Sequence, residues 1–179
     1  HQLLSSFSCE QDADIEHFLH ERAVDFENLS KSRTYLICDQ EQLENSDGSH
    51  EQLIIYGYIS LALKILTIPA STSNRVRKEL DGFSAKIHGE TISDFPCYLI
   101  GQLSKNSNVP KDSISGEMLI NFACDIIAAS VEAVGGRYMM IECRDTEKLI
   151  RFYQNNSFKE ISRIPDKDQP MVQMIRKIQ

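Results

Sequence analysis

The chain has no tryptophan, and among its 179 residues only five are proline and eight are glycine. That scarcity excludes collagen-like and Pro/Gly-rich disordered architectures. Nowhere does an apolar run approach the roughly 18 to 20 residues of a membrane-spanning helix, so no membrane partner is expected. No pair of cysteines stands as C-x-x-C. Cys9, Cys38, Cys97, Cys124 and Cys143 are odd in number, widely spaced and mostly set in apolar runs, which argues against a disulfide framework or a metal cluster. They read as reduced thiols of a cytoplasmic protein, and the first residues lack the basic flank and apolar stretch of a secretory leader. Positive charge is also short. With 19 Lys and Arg against 26 Asp and Glu, the formal charge is −7 and the pI about 5.2. A dominant nucleic-acid footprint is therefore disfavoured, because phosphate binding needs clustered cations, although a local patch stays open.

What is present suffices for one well-cored domain spanning 1–179, as monomer or homodimer, since 41% of the residues are hydrophobic. Ser8 to Gln11 offer a capping box, and Ile15, Phe18, Leu19, Ala23 and Phe26 then recur at helical spacing, which predicts a helix over 11–29. Ser32 to Cys38 reads as a strand. Asp39 to Gln52 is polar and carries Asp47-Gly48, a hairpin-turn signal. Leu53 to Leu66 is a long strand with Ile55, Ile59, Leu61, Leu63 and Ile65 on one face, and a bulge is expected at Gly57. Residues 67–94 form a surface connection with a short helix over 74–80. Phe95 to Leu103 is a buried strand. A helix over 115–134 follows, with Leu119, Phe122, Ala123, Ile126, Ile127 and Val134 inward and Gly135-Gly136 as its C-cap. Further strands are expected at Tyr138 to Ile141, 158–164 and 171–178. The fold class is α/β of the α+β type, a mixed, mostly antiparallel sheet with helices on both faces.

Two stretches carry candidate chemistry. Lys105 to Ile114, leading to Ser115-Gly116-Glu117, takes a strand into a helix, where unpaired N–H groups and the positive dipole end suit a diphosphate. Cys143 to Phe158, C-R-D-T-E-K-L-I-R-F-Y-Q-N-N-S-F, follows an apolar strand. Asp145 or Thr146 supplies an N-cap oxygen there, and Leu149, Phe152 and Tyr153 share one helix face. A phenol so placed is either a core aromatic or a positioned proton donor. His88, Glu90 and Asp94, just before the Phe95 strand, are candidate bases for an incoming amine, with Glu90 put first. Glu142 is a further base, or a partner of Arg144. His17 and His20 fit a solvated helix face better than a metal site. Arg176 and Lys177 read as protection of an edge strand.

The residues F-Y-x-x-x-S-F, Phe152 to Phe158, resemble the C-terminal motif of the GNAT superfamily of acyl-CoA-dependent N-acetyltransferases, with Ser157 where that family has glycine. Leu99 to Leu103, L-I-G-Q-L, resembles the family's cofactor strand. The next loop departs from its Q/R-x-x-G-x-G/A pattern, since Pro110, Ser113 and Ser115 fall at those positions. The resemblance implies a GNAT-like acyl-CoA N-acyltransferase fold with acetyl-CoA as co-substrate, in a gap between the Leu99 and Tyr138 strands. It assigns Leu99, Gly101, Leu103, Lys105, Lys111, Ser113, Ile114, Ser115, Gly116 and Phe152 to the cofactor. The acetyl group would pass to a primary amine, with Tyr153 protonating the departing thiolate. Phe7-x-Cys9 and Ser32-Arg33-Thr34-Tyr35 look like the opening of a branch of tRNA-acetylating toxins. That implies aminoacyl-tRNA as an alternative acceptor, provided Arg33, Arg75, Arg77 and Lys78 gather into one patch. The missing glycines keep a third alternative open, a catalytically weak acyl-CoA-binding module.

Overall fold

The computed structural model describes residues 3–45, 53–165 and 169–178. After a 3-10 turn come α1 (Ala13–His17), a π-helical turn (Phe18–Arg22), α2 (Ala23–Asn28), β1 (Arg33–Cys38), α3 (Gln40–Asn45), β2 (Ile55–Thr67) and α4 (Asn74–Asp81). There follow β3 (Lys86–Ile87), β4 (Glu90–Thr91), β5 (Asp94–Lys105), α5 (Gly116–Val134), β6 (Tyr138–Arg144), α6 (Glu147–Asn155), β7 (Lys159–Ile164) and β8 (Met171–Lys177). Six strands form a sheet in the order β1-β2-β5-β6-β8-β7, while β3 and β4 pair separately. The β1–β2, β6–β8 and β7–β8 pairs are antiparallel. Among the described residues, no helix is long and apolar enough to cross a membrane. Contacts divide the chain into two compact units, residues 1–62 with 100–126 and residues 63–99 with 127–179.

In the first unit, Phe7, Cys9, Leu19, Ala23, Ile55 and Tyr58 form the core, so the Phe7-x-Cys9 motif is packing. Phe7 and Tyr58 meet edge to face at 5.1 Å. The Tyr58 hydroxyl donates to the Ile15 carbonyl at 2.6 Å, and burial raises its pKa. The expected helix over 11–29 is capped by Asp12, not by Ser8. Asp12 directly precedes the first helical residue, and its side chain accepts from the Asp14 N–H. The Ser8 hydroxyl donates instead to Glu16, which also accepts the Cys9 N–H at 2.7 Å. Asp39, whose carboxylate accepts the Glu41 N–H, opens α3 inside the segment taken for a turn. The expected Asp47-Gly48 hairpin lies outside the described residues. The bulge is present: Ile37 pairs with Gly57 and Cys38 with Ile55, which leaves Tyr56 as the extra residue. A Cβ at Gly57 would come within 2.8 Å of the Ser104 carbonyl, which only glycine avoids.

The second unit packs Leu66, Ile68, Leu80, Phe95, Cys97, Tyr138, Met140 and Ile175 together. The apolar face expected along β2 ends at Leu61, the last residue β1 reaches. Leu63 and Ile65 are exposed, and Leu66 turns the opposite face inward. On α5 the buried stripe is Leu119, Ile120, Ala123 and Ile127, with Phe122 and Val134 exposed. The inward face is thus rotated by about one residue from the expected one.

The connection over 67–94 is more than surface loop. Arg77 on α4 is 2% exposed, and its guanidinium donates to the carbonyls of Thr72, Pro69, Ala70 and Ile92. An unmet buried carbonyl costs about 1–3 kcal/mol. Arg77→Met, which keeps the stem and removes the donors, is expected to destabilise the protein by about 3 kcal/mol in denaturant unfolding. A loss below about 1 kcal/mol would show that water meets those carbonyls instead.

Candidate active site

The loop leaving β5 is anchored by Asn106, a residue that local pattern did not single out. Its buried amide donates to the Ile55 carbonyl at 2.7 Å and accepts from the Ser8 and Asn108 N–H groups. Its own N–H reaches the carbonyl of the bulged Tyr56 at 2.9 Å. The N-terminal segment, the β2 bulge and the loop therefore share one buried polar hub. Beyond it, the Ser113 N–H closes a turn onto Pro110, and the Lys105 ammonium donates to the Lys111 carbonyl at 2.7 Å. Ile114 is buried, which pins the loop just before α5. The Ser115 hydroxyl accepts from the Met118 N–H at 3.1 Å, so Ser115 is the N-cap and Gly116 the first helical residue. First-turn N–H groups have no helical acceptor and lie at the positive end of a 19-residue dipole.

The loop's departure from the glycine pattern costs no backbone strain. Among the described residues, those with positive φ are Ser30, His88, Ser157, Gly82, Gly89, Gly135 and Gly136, none of them in 105–116. Proline and serine can hold this path. Lys105, Lys111, Ser113, Ile114, Ser115 and Gly116 are thus gathered on one short stretch, behind Gly101 and Leu103 on β5. Leu99 packs half-buried on the second unit's core.

Tyr153 is held by the end of α6. The Phe158 N–H bonds to the Tyr153 carbonyl at 3.0 Å and the Ser157 N–H to the Gln154 carbonyl at 3.0 Å, the two bonds of a Schellman cap. Ser157 takes the left-handed position at φ 67, and buried Phe158 meets the Tyr153 ring at 5.8 Å. The F-Y-x-x-x-S-F spacing therefore has a local cause, because ring and aromatic latch are the cap's two hydrophobic partners. Phe152 stands 5.0 Å from Tyr153. Burial, with a smaller contribution from Cys143, pushes the phenol pKa up, and burial raises the Cys143 thiol to about 11. The expected cap at the other end is absent in side-chain form. Thr146 is the N-cap residue but its hydroxyl makes no cap bond, and Asp145 is held by Arg163 at 2.5 Å. Glu147, Lys148, Arg151, Phe152 and Asn155 line a depression of about 460 Å³ along α6.

The base candidates separate. His88 and Gly89, both at positive φ, form the two-residue turn of the β3–β4 hairpin, and Glu90 stands exposed beside it, in neither group above. Asp94 accepts from the hydroxyls of Thr67 at 2.6 Å and Ser93 at 3.0 Å. Glu142 takes Lys64, at 2.7 Å, as its ion-pair partner. Its other oxygen accepts from the Gln173 amide at 2.8 Å, and the Ser162 hydroxyl donates to Gln173. Lys64 and Gln173 were not singled out by pattern, although each interrupts a run of apolar residues, L-A-L-K-I-L and M-V-Q-M-I. His20 lies against the Phe7 carbonyl, and no group of three metal-ligating side chains occurs among the described residues. Arg33 pairs with Glu27 at 2.9 Å and Arg77 is buried, which leaves Arg75 and Lys78 on α4.

No protein-family model matches the chain, and no curated protein matches it by sequence. Solved structures do. A tyrosine-to-phenylalanine mutant of KacT superposes with a TM-score of 0.67 at 17% identity, covering 98% of this chain and 87% of that one. AtaT complexed with acetyl-methionyl-tRNAfMet gives 0.66 at 18% identity, over 94% of this chain and 85% of that one. AtaTR bound with acetyl-CoA gives 0.65 at 19%, over 95% and 84%. The chain has the GNAT fold. The agreement covers 94–98% of this chain and 84–87% of each neighbour, a shared backbone framework.

In that framework Ser157 occupies a position where glycine costs least. A left-handed non-glycine residue costs about 1–2 kcal/mol, part of which the greater freedom of unfolded glycine offsets. Ser157→Gly is expected to stabilise the protein by about 1 kcal/mol, raising Tm by roughly 2–4 °C. A fall in Tm would mean that the serine hydroxyl compensates the strain.

Proposed function

We propose that the protein is an N-acetyltransferase carrying the acetyl group of acetyl-CoA to a primary amine by direct attack on the thioester. The carrying observation is Tyr153, a half-buried phenol set by a helix cap within the GNAT fold. The 1–179 chain works as one catalytic domain in this proposal, with the diphosphate on the N–H groups at the start of α5. Lys105 and Lys111 supply countercharge, which Glu117 partly opposes. Backbone N–H groups of β5 polarise the thioester carbonyl. Acetyl-CoA is a co-substrate, and the loop's amides and the two lysines are the chain's means of holding its diphosphate.

The phenol's role follows from its shifted acidity. Its pKa is above the ordinary value of about 10, whereas a free thiol has about 8.5. Full transfer to a free thiolate would be uphill, so Tyr153 hydrogen-bonds the sulfur as the C–S bond breaks. Its proton moves as the new amide's proton refills the oxygen. Because the pKa is raised, Tyr153 stays protonated through neutral and mildly alkaline pH. Its ionisation should therefore produce no fall in rate below about pH 10.

The acceptor is narrowed by the neighbours. AtaT has been seen with acetyl-methionyl-tRNAfMet, which favours an aminoacyl-tRNA α-amine as the second reading. An α-amine, with pKa about 8, is also easier to deprotonate than a side-chain amine at about 10.4. The net charge of −7 and the occupied Arg33 and Arg77 oppose it. Thiol release from acetyl-CoA against methionyl-tRNA, methioninamide and alkylamines tests the proposal. Acetyl-CoA binding without any release would support the acyl-CoA-binding module instead.

Tyr153→Phe keeps the ring edge to face with Phe152 and Phe158 and removes only the hydroxyl. Turnover is expected to fall about 10²-fold with acetyl-CoA affinity unchanged. Wild-type rates from pH 6 to 9 would make Tyr153 a packing residue. For the loop, acetyl-CoA should raise Tm by mass action, and Ser115→Glu should abolish that rise by placing a carboxylate at the phosphate position. A full shift in the mutant would locate the diphosphate elsewhere.

A further inference from the structure

Consecutive residues of a strand project to opposite faces. On β6, Cys143 and Glu142 are consecutive, so Cys143 points to one face and Glu142 to the other. There it extends the row of Tyr138 and Met140, beside Leu66 on β2 and Ile175 on β8. Two residues before Leu66 stands Lys64, and two before Ile175 stands Gln173, which pairs with Glu142 in register. The core therefore gives way, at one level of the sheet, to a carboxylate with an ammonium on one oxygen and an amide on the other. Arg144 is the next residue on that face of β6.

Resting on the acetyltransferase proposal, we infer that Glu142 is the carboxylate that receives the acceptor's ammonium, and that Lys64 occupies its place until the acceptor arrives. The Lys64 Nζ, 2.7 Å from the carboxylate, is a primary ammonium, the same chemical group as the protonated acceptor. The pair is accessible enough to exchange, with side-chain exposures of 39% for Lys64 and 21% for Glu142. Gln173, 8% exposed and itself held by Ser162, fixes the carboxylate while the cation is replaced. The chemistry balances. The incoming R–NH₃⁺ gives one proton to Glu142, which passes it to solvent, and the free amine forms the C–N bond. The C–S bond breaks, the sulfur takes the Tyr153 proton, and the second amine proton restores the phenol.

Three substitutions with opposite expected signs test this, using the intact protein, acetyl-CoA and methioninamide. Glu142→Gln keeps the hydrogen bond from Gln173 and loses only the charge. Its kcat/KM at pH 7 is expected to fall about 10²-fold, with the deficit narrowing above about pH 8 as the amine deprotonates unaided. Lys64→Met removes the resident cation and should lower KM and raise kcat/KM. Lys64→Arg keeps the charge but grips a carboxylate with two donors, so it should lower kcat/KM. An ion pair that merely braced the sheet would respond differently. Both Glu142→Gln and Lys64→Met would then lose activity in step with Tm, Lys64→Arg would be harmless, and no pH profile would change; that pattern overturns the inference. Unchanged kcat/KM in all three overturns it equally. A wild-type protein that shows the acetyl-CoA Tm shift but releases no thiol from any amine overturns the acetyltransferase proposal itself.

Discussion

The side-chain period of two along β6 is the constraint on which the second unit's chemistry depends. Met139, Ile141 and Cys143 serve one face, and Tyr138, Met140 and Glu142 the other. All but Glu142 are buried, and each face must be packed or its polar groups satisfied. A carboxylate at this place would be costly alone. It is tolerated because Lys64 and Gln173 arrive from two other strands at the same level. An ion pair of intermediate exposure adds little net stability, since desolvation offsets most of the attraction. Packing would be served as well by an apolar trio. The carboxylate therefore adds little to folding, which is consistent with the chemical role proposed for it.

Two departures from the glycines of GNAT motifs have opposite physical meanings. In the loop before α5 no residue has positive φ, so serine and proline replace glycine without conformational cost. Whatever glycine contributes there elsewhere must come from close approach to phosphate, not from backbone freedom. At Ser157 the left-handed conformation is real, and the strain persists because the cap over-determines it. Two backbone bonds and the buried Phe158 ring hold the turn. The same contacts fix Tyr153, so the position of the phenol and the strain at Ser157 have one origin.

Much of this was legible because it is local. The strand, loop, helix and strand from β5 to β6, the F-Y helix, the bulge at Gly57 and the end of α5 at Gly135-Gly136 are all written in neighbouring residues. What escaped depends on distant partners. Glu142 and Lys64 are 78 positions apart, and no periodicity connects them. Arg77 resembled a surface cation on a short helix, yet the carbonyls of a folded-back connection enclose it. Leu63 and Ile65 continue an apolar alternation faithfully and are nevertheless exposed, because β1 stops pairing at Leu61. Asp12 displaced Ser8 as the cap because adjacency to the first turn outweighs a matching spacing.

The same distinction bears on the acceptor. Charge counted along the sequence offered Arg33, Arg75, Arg77 and Lys78 as one basic group, and the fold buries Arg77 among carbonyls while Arg33 pairs at the surface with Glu27. A polyanionic acceptor would then be drawn by few fixed cations against a net charge of −7. The local chemistry makes a narrower demand. In the role proposed for Glu142, a carboxylate already holding an ammonium would select for a protonated primary amine, whatever larger molecule carries it. Affinity for that larger molecule and recognition of its amine are separable, and the strand geometry of β6 speaks to the second.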